Sequence, residues 1–308
     1  MGPVTVRVPA SAANLGSGYD AFGLALARYN RLTADLADPG DWRITVTGEG
    51  EQGARQGRDN LVAVAMRRLF DEVGERHGAA VSCTNEVPFG RGLGSSSAAI
   101  IGGLVAANAL TGSRLQPVEL FRLAVEVEGH PDNVAAAISG GFTICWTEPG
   151  GPHSTHIDPP VGLAAVCVVS AQKLSTRHSR MLLPEYVPHG DAAFDVGRAG
   201  LLVAGLALGR RDLIGPGMCD RLHEPYRATA VTDLEVVRAL LLEAGADGAA
   251  LSGAGPTVIG LVTGSDDADA FERAQDVARR AAGPLAGCEG RMAPDVIAID
   301  RDGAVVED

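Results

Sequence analysis

A loop rich in glycine and serine is the segment whose residue types most directly suggest chemistry. It reads PFGRGLGSSSAAI over residues 88–100, with Gly90, Gly92 and Gly94 followed by three serines. Glycine lets the backbone approach a ligand closely, and the small and apolar residues that follow are typical of a buried helix beginning at the serines. Free N–H groups at a helix start bind anions, so the loop predicts a phosphate site or, alternatively, a plain turn before a buried helix.

Three known phosphate loops differ from this segment. A Walker loop requires lysine directly after the glycines, whereas the single lysine of the chain is Lys173. The dinucleotide fingerprint G-x-G-x-x-G fails on its spacing, and the first acidic residue after the loop is Glu119. The Val-Ala-Ile-Lys and Asp-Phe-Gly segments of protein kinases do not occur. The sequence therefore excludes these three classes.

A second polar segment, EVEGHPDN, ends at Asn133. Proline blocks the incoming helix, and Asp132 or Asn133 would ordinarily cap the next one. The same two side chains could instead lie beside a reacting hydroxyl. Glu126 lies opposite the apolar stripe of its own helix, a pattern typical of a solvated face. Both interpretations stay open on pattern alone.

Helices and strands must position these segments. Alternation predicts a strand over residues 4–9 followed by a turn, and a helix follows RDN with Asp59 or Asn60 as its cap. Another helix begins at Gln116, and residues 141–147 read as a strand. Residues 148–160, rich in Gly and Pro, mark the predicted domain boundary and place His153 and His156 in a solvated loop.

Beyond that boundary the pattern predicts an α+β layer with helices on one face of an antiparallel sheet. The predicted elements are strand 164–170, helix 194–208, helix 232–243, two short strands around LSGAGP, helix 267–281 and strand 295–299. Helix 194–208 is apolar enough for either a core or an interface, so the sequence leaves a homodimer open.

Composition narrows the partners and the compartment. The 308 residues include 26 basic and 38 acidic side chains, a net charge of −12, with no run of five or six like charges. Nucleic acid and membranes are therefore not expected as partners. Five widely spaced cysteines predict reduced, mostly buried thiols, and no Cys-x-x-Cys pair suggests a metal. Cytoplasmic localisation is the expectation, since neither a signal peptide nor a membrane span is recognisable.

Four segments together resemble the GHMP small-molecule kinases. PFGRGLGSSSAA is similar to the family's second motif and LSGAGPTV, at residues 251–258, to its third. VPASAANLGSGYDAFGLAL and EVEGHPDNVAAAISGGF narrow the resemblance to the branch that phosphorylates L-homoserine. The resemblance implies an α+β two-domain GHMP-kinase fold. Its N-terminal mixed α/β ATP-binding domain would span residues 1–155 and its C-terminal ferredoxin-like α+β domain residues 156–308.

The resemblance also implies a site for ATP and Mg²⁺. Magnesium would be held by Ser96 and Glu126, which also counts among the catalytic residues, with Glu128 as the alternative ligand. The residues implied for ATP are Asn60, Pro88, Gly90, Arg91, Gly92, Leu93, Gly94, Ser95, Ser96, Ser97, Ala98, Gly253, Ala254 and Gly255. Asn60 can at the same time be a plain helix cap.

For the reaction itself the resemblance implies Asp132 and Asn133 as catalytic residues. Ser11, Ala12 and Ala13 stand where relatives such as mevalonate kinase have a lysine, so a strong Asp–Lys base is not expected. L-Homoserine needs arginine for its carboxylate and acid or amide oxygens for its ammonium group. The implied substrate-binding residues are Asn14, Asp20, His130, Arg180 and Arg227.

Two alternatives to phosphorylation of L-homoserine remain at this level. The chain could be a GHMP kinase for another small alcohol, such as a mevalonate derivative. It could also be a catalytically silent ATP-binding regulator with the same fold, although the intact Ser96, Glu126, Asp132 and Asn133 argue against it.

Overall fold

The structure is a computed structural model that describes residues 2–52, 57–159 and 162–307. Within these ranges the chain forms eleven strands in two sheets, and ten α-helices. The strands are β1 (Val4–Asn14), β2 (Gly18–Ala37), β3 (Trp42–Gly48), β4 (Gly78–Asn85), β5 (Phe142–Glu148), β6 (Gly151–Ile157), β7 (Leu163–Val168), β8 (Gly248–Leu251), β9 (Val258–Thr263), β10 (Asp295–Ala298) and β11 (Val305–Glu307). The helices are α1 (Leu61–Glu72), α2 (Ser95–Leu110), α3 (Pro117–Glu128), α4 (Asp132–Ser139), α5 (Thr176–Met181), α6 (His189–Leu208), α7 (Arg211–Gly217), α8 (Glu224–Arg227), α9 (Leu234–Ala244) and α10 (Asp267–Leu285).

The first sheet has the strand order β11-β1-β2-β4-β3, and β5 and β6 extend it from β2. Its pairs are antiparallel except β3 with β4. Helices α1 to α4 pack on this sheet around a core that includes Met66, Ile101, Leu104 and Phe121. Since α2 is buried on nearly all sides, its N-terminus is held firmly where the glycine loop enters.

The second sheet is antiparallel with the order β10-β7-β9-β8. Successive side chains of a strand point to opposite faces of the sheet, and in this sheet both faces are buried. Val166 and Val168 pack against α9 and α10, whereas Ala165 and Cys167 pack toward the first sheet. Strands and helices follow the βαββαβ order of a ferredoxin-like domain, which confirms the predicted fold class.

A hydrophobic core joins the two sheets. It contains Leu24 and Phe142 from the first sheet, Ile259 from the second, and Leu202 and Leu206 from α6. Two of the four motif segments meet at this junction. Strands β1 and β2 are joined by the turn after Asn14, and the β8–β9 connection lies against that turn, since Gly253 N–H donates to Ala13 O at 2.9 Å.

Several local predictions differ from the structure. The boundary expected between residues 155 and 156 falls inside β6, which runs to Ile157 and pairs with β5. His153 and His156 therefore lie on a strand and not in a loop. The first strand continues through Ser11 to Asn14, where only a turn was expected, and the C-terminal β11 returns to pair with β1.

Two further features are the hydropathy of the helices and the state of the cysteines. No helix in the described ranges is long and apolar enough to cross a bilayer. All five cysteines are free: Cys83, Cys145 and Cys167 are buried, Cys288 is half-buried and Cys219 is exposed.

Candidate active site

A cavity of about 370 Å³ opens at the junction of the two sheets. Most of the predicted site residues line it, although they come from segments up to 241 positions apart (Asn14 to Gly255). The predicted residues in its wall are Asn14, Asp20, Gly90, Arg91, Gly92, Gly94, Ser95, Ser96, His130, Asp132, Asn133, Arg180, Arg227, Gly253, Ala254 and Gly255.

The glycine loop is anchored through its carbonyl groups. The carbonyl of Gly90 accepts from Leu174 N–H, and that of Arg91 accepts from Thr257 Oγ1 at 2.6 Å. The Gly92 carbonyl accepts from Ser252 Oγ at 2.6 Å. Within the loop, Phe89 N–H also donates to Glu49 at 3.2 Å. The N–H groups of the loop glycines and of the first turn of α2 are the backbone polar groups left for a ligand. Such N–H groups favour an anion.

The backbone of the loop requires glycine at its last position. Gly94 has φ +69° and is the N-cap of α2. A Cβ on Gly94 would collide with Ser11 Oγ, and it would also lie 3.1 Å from Asn133 Oδ1. A side chain here therefore obstructs the contact between the loop, β1 and α4, in addition to any phosphate.

The start of α4 carries a polar cluster. Asp132 is buried, with 2% of its surface exposed, and its Oδ1 lies 2.7 Å from His130 Nδ1. Asn133 N–H donates to the same oxygen at 2.7 Å. Ser11 Oγ, at the position where lysine is missing, donates to Asn133 Oδ1 at 2.9 Å. The cluster thus orients Asn133 without any lysine.

Charges within this cluster are coupled. Burial lowers the pKa of His130, but the hydrogen bond and charge of Asp132 outweigh burial and raise that pKa above its ordinary value. Burial conversely raises the pKa of Asp132, whereas the hydrogen bond and charge of His130 bring it below the ordinary value. Asp132 is therefore a stable carboxylate and a weak base.

Glu126 does not reach the cavity, in contrast to its predicted role. Its side chain is 57% exposed and pairs with Arg68 Nη2 at 2.9 Å. Glu128, the alternative, has only 10% of its side chain exposed, and its carboxylate accepts from Ser96 Oγ and, at 2.9 Å, from Ser97 Oγ. Helical geometry explains the difference, because Glu128 is one turn after the buried Ala124 and Glu126 one turn after the exposed Arg122.

The opposite end of the cavity is rich in guanidinium groups. Arg227 is 2% exposed, and its Nη1 donates to Gly253 O at 3.0 Å. Arg180 forms a bidentate pair with Asp20 at 2.7 and 2.8 Å, and its Nη1 also donates to Tyr19 Oη at 3.0 Å. Two arginines and one carboxylate therefore face the same space, which suits a small zwitterion.

Asn14 ties this end together. Its Oδ1 accepts from Asp20 N–H at 3.0 Å and its Nδ2 donates to Gly253 O at 2.8 Å. Asn14 and Asp20 both adopt positive φ, at +68° and +54°. Their backbone conformation and the bonds of Asn14 shape the turn between β1 and β2, so that Asp20 is directed toward Arg180.

A second cavity, of about 310 Å³, continues from the first. Both cavities share Leu61, Phe89, Ser95 and Ser96, and the walls of the second are largely apolar. Asn60 lines it and caps α1, because its Oδ1 accepts from Val62 N–H at 2.9 Å. Ala98 also lines it.

The remaining predicted loop residues are structural in this arrangement. Pro88 and Leu93 are buried, and neither is among the described residues that line the two cavities. Ser97 is also buried, and its hydroxyl donates to Glu128.

Lys173 is a residue at this site that motif reasoning did not find. It is exposed, lines the first cavity, and its Nζ lies 5.0 Å from the centre of the Phe89 ring. Eighty positions separate it from the loop, so no local spacing links the two. The bond from Leu174 N–H to Gly90 O, at 3.1 Å, and the approach of Lys173 to Phe89 bring this segment to the loop.

Comparison with known proteins defines the class first. The family model for the N-terminal domain of GHMP kinases matches residues 60–141, and that for the GHMP kinase C-terminal domain matches residues 202–279. The first match includes the glycine loop and the α4 cluster. The chain belongs to the GHMP kinase family, a class of ATP-using small-molecule kinases.

Relatives then place the chain within that family. The homoserine kinase of Streptomyces coelicolor is 42% identical over 309 residues, covering 98% of this chain and 94% of that protein. The homoserine kinase of Streptomyces avermitilis is 44% identical, covering 87% of both chains. Within the GHMP kinases, this chain belongs with the homoserine kinases.

Solved structures agree on the fold. The crystal structure of homoserine kinase from Cytophaga hutchinsonii matches with a TM-score of 0.88 and 28% identity, covering 99% of this chain and 97% of that one. The structure of L. major mevalonate kinase in complex with R-mevalonate matches with a TM-score of 0.69 and 16% identity, covering 96% and 95%. At that identity the second likeness shows the fold alone.

Proposed function

We propose that this chain transfers the γ-phosphoryl group of ATP to the side-chain hydroxyl of L-homoserine, yielding O-phospho-L-homoserine for threonine synthesis. The reaction belongs in the cytoplasm, in keeping with five free thiols in the chain. The proposal rests on membership of the homoserine kinases and on how charges are distributed along the two joined cavities. Phosphate-binding groups lie at one end of the first cavity and groups suited to an amino acid at the other.

The nucleotide occupies the second cavity and the glycine loop in this proposal. Adenine fits the apolar walls near Leu61 and Phe89, next to the α1 start capped by Asn60. The phosphates then meet the N–H groups of the loop and the N-terminus of α2. Lys173 adds a positive charge at the rim of the loop, where a phosphate oxygen would otherwise face solvent.

Ser96 and Glu128 fit a magnesium ion. Their oxygens converge at the N-terminus of α2, beside the proposed phosphates. The described residues contain no group of three or more His, Cys, Asp or Glu side chains that could hold a metal by themselves. Magnesium needs no such group, because it takes one or two protein oxygens and completes its shell with phosphates and water. When bound, Mg²⁺ would neutralise charge on the phosphate oxygens.

L-Homoserine binds at the guanidinium end of the cavity. Arg227 and Arg180 hold the carboxylate, and Asp20 accepts from the ammonium group, since each oxygen of its carboxylate retains a free lone pair beside Arg180. Asn14 shapes this subsite through its bond to Gly253 O. The side-chain hydroxyl then extends toward Asn133 and the phosphate loop.

The residues at α4 position the hydroxyl more than they deprotonate it. Phosphoryl transfer passes through a loose transition state that depends chiefly on in-line geometry and on charge stabilisation. Asp132 is held as a carboxylate by His130, so it orients the hydroxyl by accepting its hydrogen bond. Ser11 fixes Asn133, whose amide can donate to the nucleophilic oxygen or to the phosphoryl group.

The observation that carries the proposal is the presence of Arg227 and Arg180 in the cavity that also contains the glycine loop. It is tested by ³¹P NMR of a mixture of the chain, ATP, Mg²⁺ and L-homoserine. We expect a new phosphomonoester signal that couples to the protons of the side-chain CH₂ group. If ATP binds and no phosphomonoester forms with any alcohol, the chain is a silent ATP-binding regulator. If the signal appears only with mevalonate, the chain is a kinase for a different alcohol.

A further inference from the structure

His223 is a buried histidine outside the set of predicted site residues. It has no exposed surface, and its ring centre lies 5.3 Å from that of Tyr19, whose hydroxyl accepts from Arg180 of the cavity wall. Its Nε2 lies 2.8 Å from Gly16 O, in the turn between β1 and β2, and its Nδ1 lies 3.0 Å from Arg227 Nη1. The ring therefore connects the turn of the first motif to an arginine of the proposed substrate site.

These two contacts determine the tautomer of His223. A carbonyl oxygen only accepts and a guanidinium only donates, so Nε2 must carry the proton and Nδ1 must offer a lone pair. The imidazole is neutral, and burial, the largest influence on it, lowers its pKa to about 4. The neutral ring avoids placing a second positive charge beside Arg227.

Asp220 holds His223 and Arg227 on one short helical turn. Its carboxylate accepts from the backbone N–H groups of His223 and Glu224 at 3.0 and 2.7 Å, which caps α8. His223 and Arg227 are four residues apart and therefore face the same side of that turn. The backbone bond from Arg227 N–H to His223 O, at 3.0 Å, completes it.

The contact with His223 decides which edge of Arg227 is free. Nη1 of Arg227 has two hydrogens, and one is donated to His223 Nδ1 and the other to Gly253 O. Arg227 Nε is buried and has no hydrogen-bond partner within the described residues. The Nε and Nη2 side of a guanidinium is one of the edges that can bind both oxygens of a carboxylate at once.

We propose that His223 is a positioning residue for the amino-acid substrate: by accepting from Nη1, it holds the guanidinium plane of Arg227 so that the Nε and Nη2 edge faces the substrate carboxylate. This inference rests on the proposed function, in which that carboxylate binds Arg227. His223 itself does not touch the substrate.

Two variants separate the acceptor from the rest of the ring. In His223→Asn the amide oxygen takes the place of Nδ1 and still accepts from Arg227, whereas in His223→Gln the amide reaches the position of Nε2 and the Nδ1 acceptor is lost. We expect His223→Gln to raise KM for L-homoserine at least tenfold, with KM for ATP and kcat within about twofold of wild type. We expect His223→Asn to keep KM for L-homoserine within about threefold.

A double-mutant cycle tests whether the effect passes through Arg227. Arg227→Leu should raise KM for L-homoserine, and His223→Gln added to it should raise that KM no further. Additive effects, or equal losses in His223→Asn and His223→Gln, would overturn the positioning role. If Arg227→Leu leaves KM for L-homoserine unchanged, the proposed binding site is itself wrong and the inference falls with it.

A measurement on the wild-type chain keeps the proposal open to disproof even if His223→Gln does not fold. Long-range ¹H–¹⁵N NMR of ¹⁵N-histidine-labelled protein at pH 7 should show a neutral His223 with its proton on Nε2. A proton on Nδ1, in either the other tautomer or the imidazolium, would be incompatible with acceptance from Arg227 and would overturn the proposal.

Discussion

Glu126 and Glu128 show how two equal side chains on one helix take different roles. Glu128 accepts from Ser96 Oγ next to the proposed phosphates, whereas Glu126 pairs with Arg68 at the surface. We expect Glu128→Gln to lower kcat on the order of 100-fold at saturating Mg²⁺, because an amide replaces a hard anionic ligand poorly.

Glu126→Gln is the matched control for this experiment. It removes the same charge from the same helix but only a surface ion pair, worth about 1 kcal/mol at most. Its kcat should stay within about twofold of wild type in the same steady-state assay. A large loss in Glu126→Gln together with near wild-type turnover in Glu128→Gln would reverse the assignment.

Individual residues also show what the sequence can and cannot predict. The family motifs lead to Asn14, Arg180 and Arg227, which do line the cavity, because a motif preserves residue type and order. The distinction between Glu126 and Glu128 was available from helical spacing, since only Glu128 follows the buried stripe of α3 by one turn. Lys173 had no such signal, because long-range folding alone brings it to the site. His223 had a weak one, since it precedes the predicted Arg227 by four residues, a helical spacing that places two side chains on one face.

At the scale of elements, the junction of the glycine loop and α2 depends on backbone conformation. Gly90 and Gly94 both have positive φ, at +70° and +69°, so alanine costs roughly 1 to 2 kcal/mol of backbone strain at either position. A Cβ at Gly90 would meet only the Lys173 side chain, at 3.8 Å, whereas one at Gly94 would collide with Ser11 Oγ.

Comparison of Gly94→Ala with Gly90→Ala therefore separates two effects. Both variants strain the backbone, but only Gly94→Ala brings a Cβ against Ser11 Oγ. We expect Gly94→Ala to weaken ATP binding at least tenfold and to lower the Tm more than Gly90→Ala, which should bind ATP within about threefold of wild type. Isothermal calorimetry and thermal unfolding followed by circular dichroism measure the two effects. Equal behaviour of the two variants would mean that the close approach of α2 to β1 is unimportant for the nucleotide site.

Asp195 of α6 and Asp220, which precedes α8, form a pH-sensitive contact. Burial, followed by the neighbouring Asp220 carboxylate, raises the pKa of Asp195 to about 7. An unfolded aspartate ionises near 3.8, so the folded chain binds more protons than the unfolded chain between about pH 4 and 7. The free energy of unfolding contributed by Asp195 therefore falls as pH rises through this range.

Asp195→Asn removes this titration while it keeps the shape of the protonated acid. We expect the Tm of the variant to approach that of wild type near pH 5 and to exceed it by roughly 2 °C or more at pH 8. Asp276→Asn, which removes an exposed partner of Arg279 on α10 and leaves the surroundings of Asp195 unchanged, is the control and should show no such growing difference. A Tm difference for Asp195→Asn that shrinks as pH rises would contradict this account.

The elements differ in how well the sequence predicted them. Helices α1, α3 and α10 were recognisable because their apolar residues recur at helical spacing around clear start signals. Strand β6 was not, because Pro152 and the glycines before it resemble a linker, and only pairing with β5 makes the segment extended.

At the scale of the whole molecule, the site exists only where the two sheets meet. The core shared by β2, β9 and α6 holds the glycine loop against the β8–β9 connection. Two domains predicted from the sequence are enough to expect such a junction. They are not enough to predict which strands pair there. Strand β11 pairs with β1 across the full length of the chain, as in Val306 with Val6, and no local pattern encodes that contact.

Substrate preference tests the central claim most directly, because a cavity with two arginines and a phosphate loop should select an amino acid that carries a side-chain hydroxyl. The measurement is kcat/KM in a coupled ADP-release assay with L-homoserine, D-homoserine, L-serine, L-threonine and mevalonate. We expect L-homoserine to exceed every other alcohol by at least about 100-fold, since a misplaced carboxylate or hydroxyl leaves buried charges unpaired. A higher kcat/KM for mevalonate, or equal values for all five, would contradict the account.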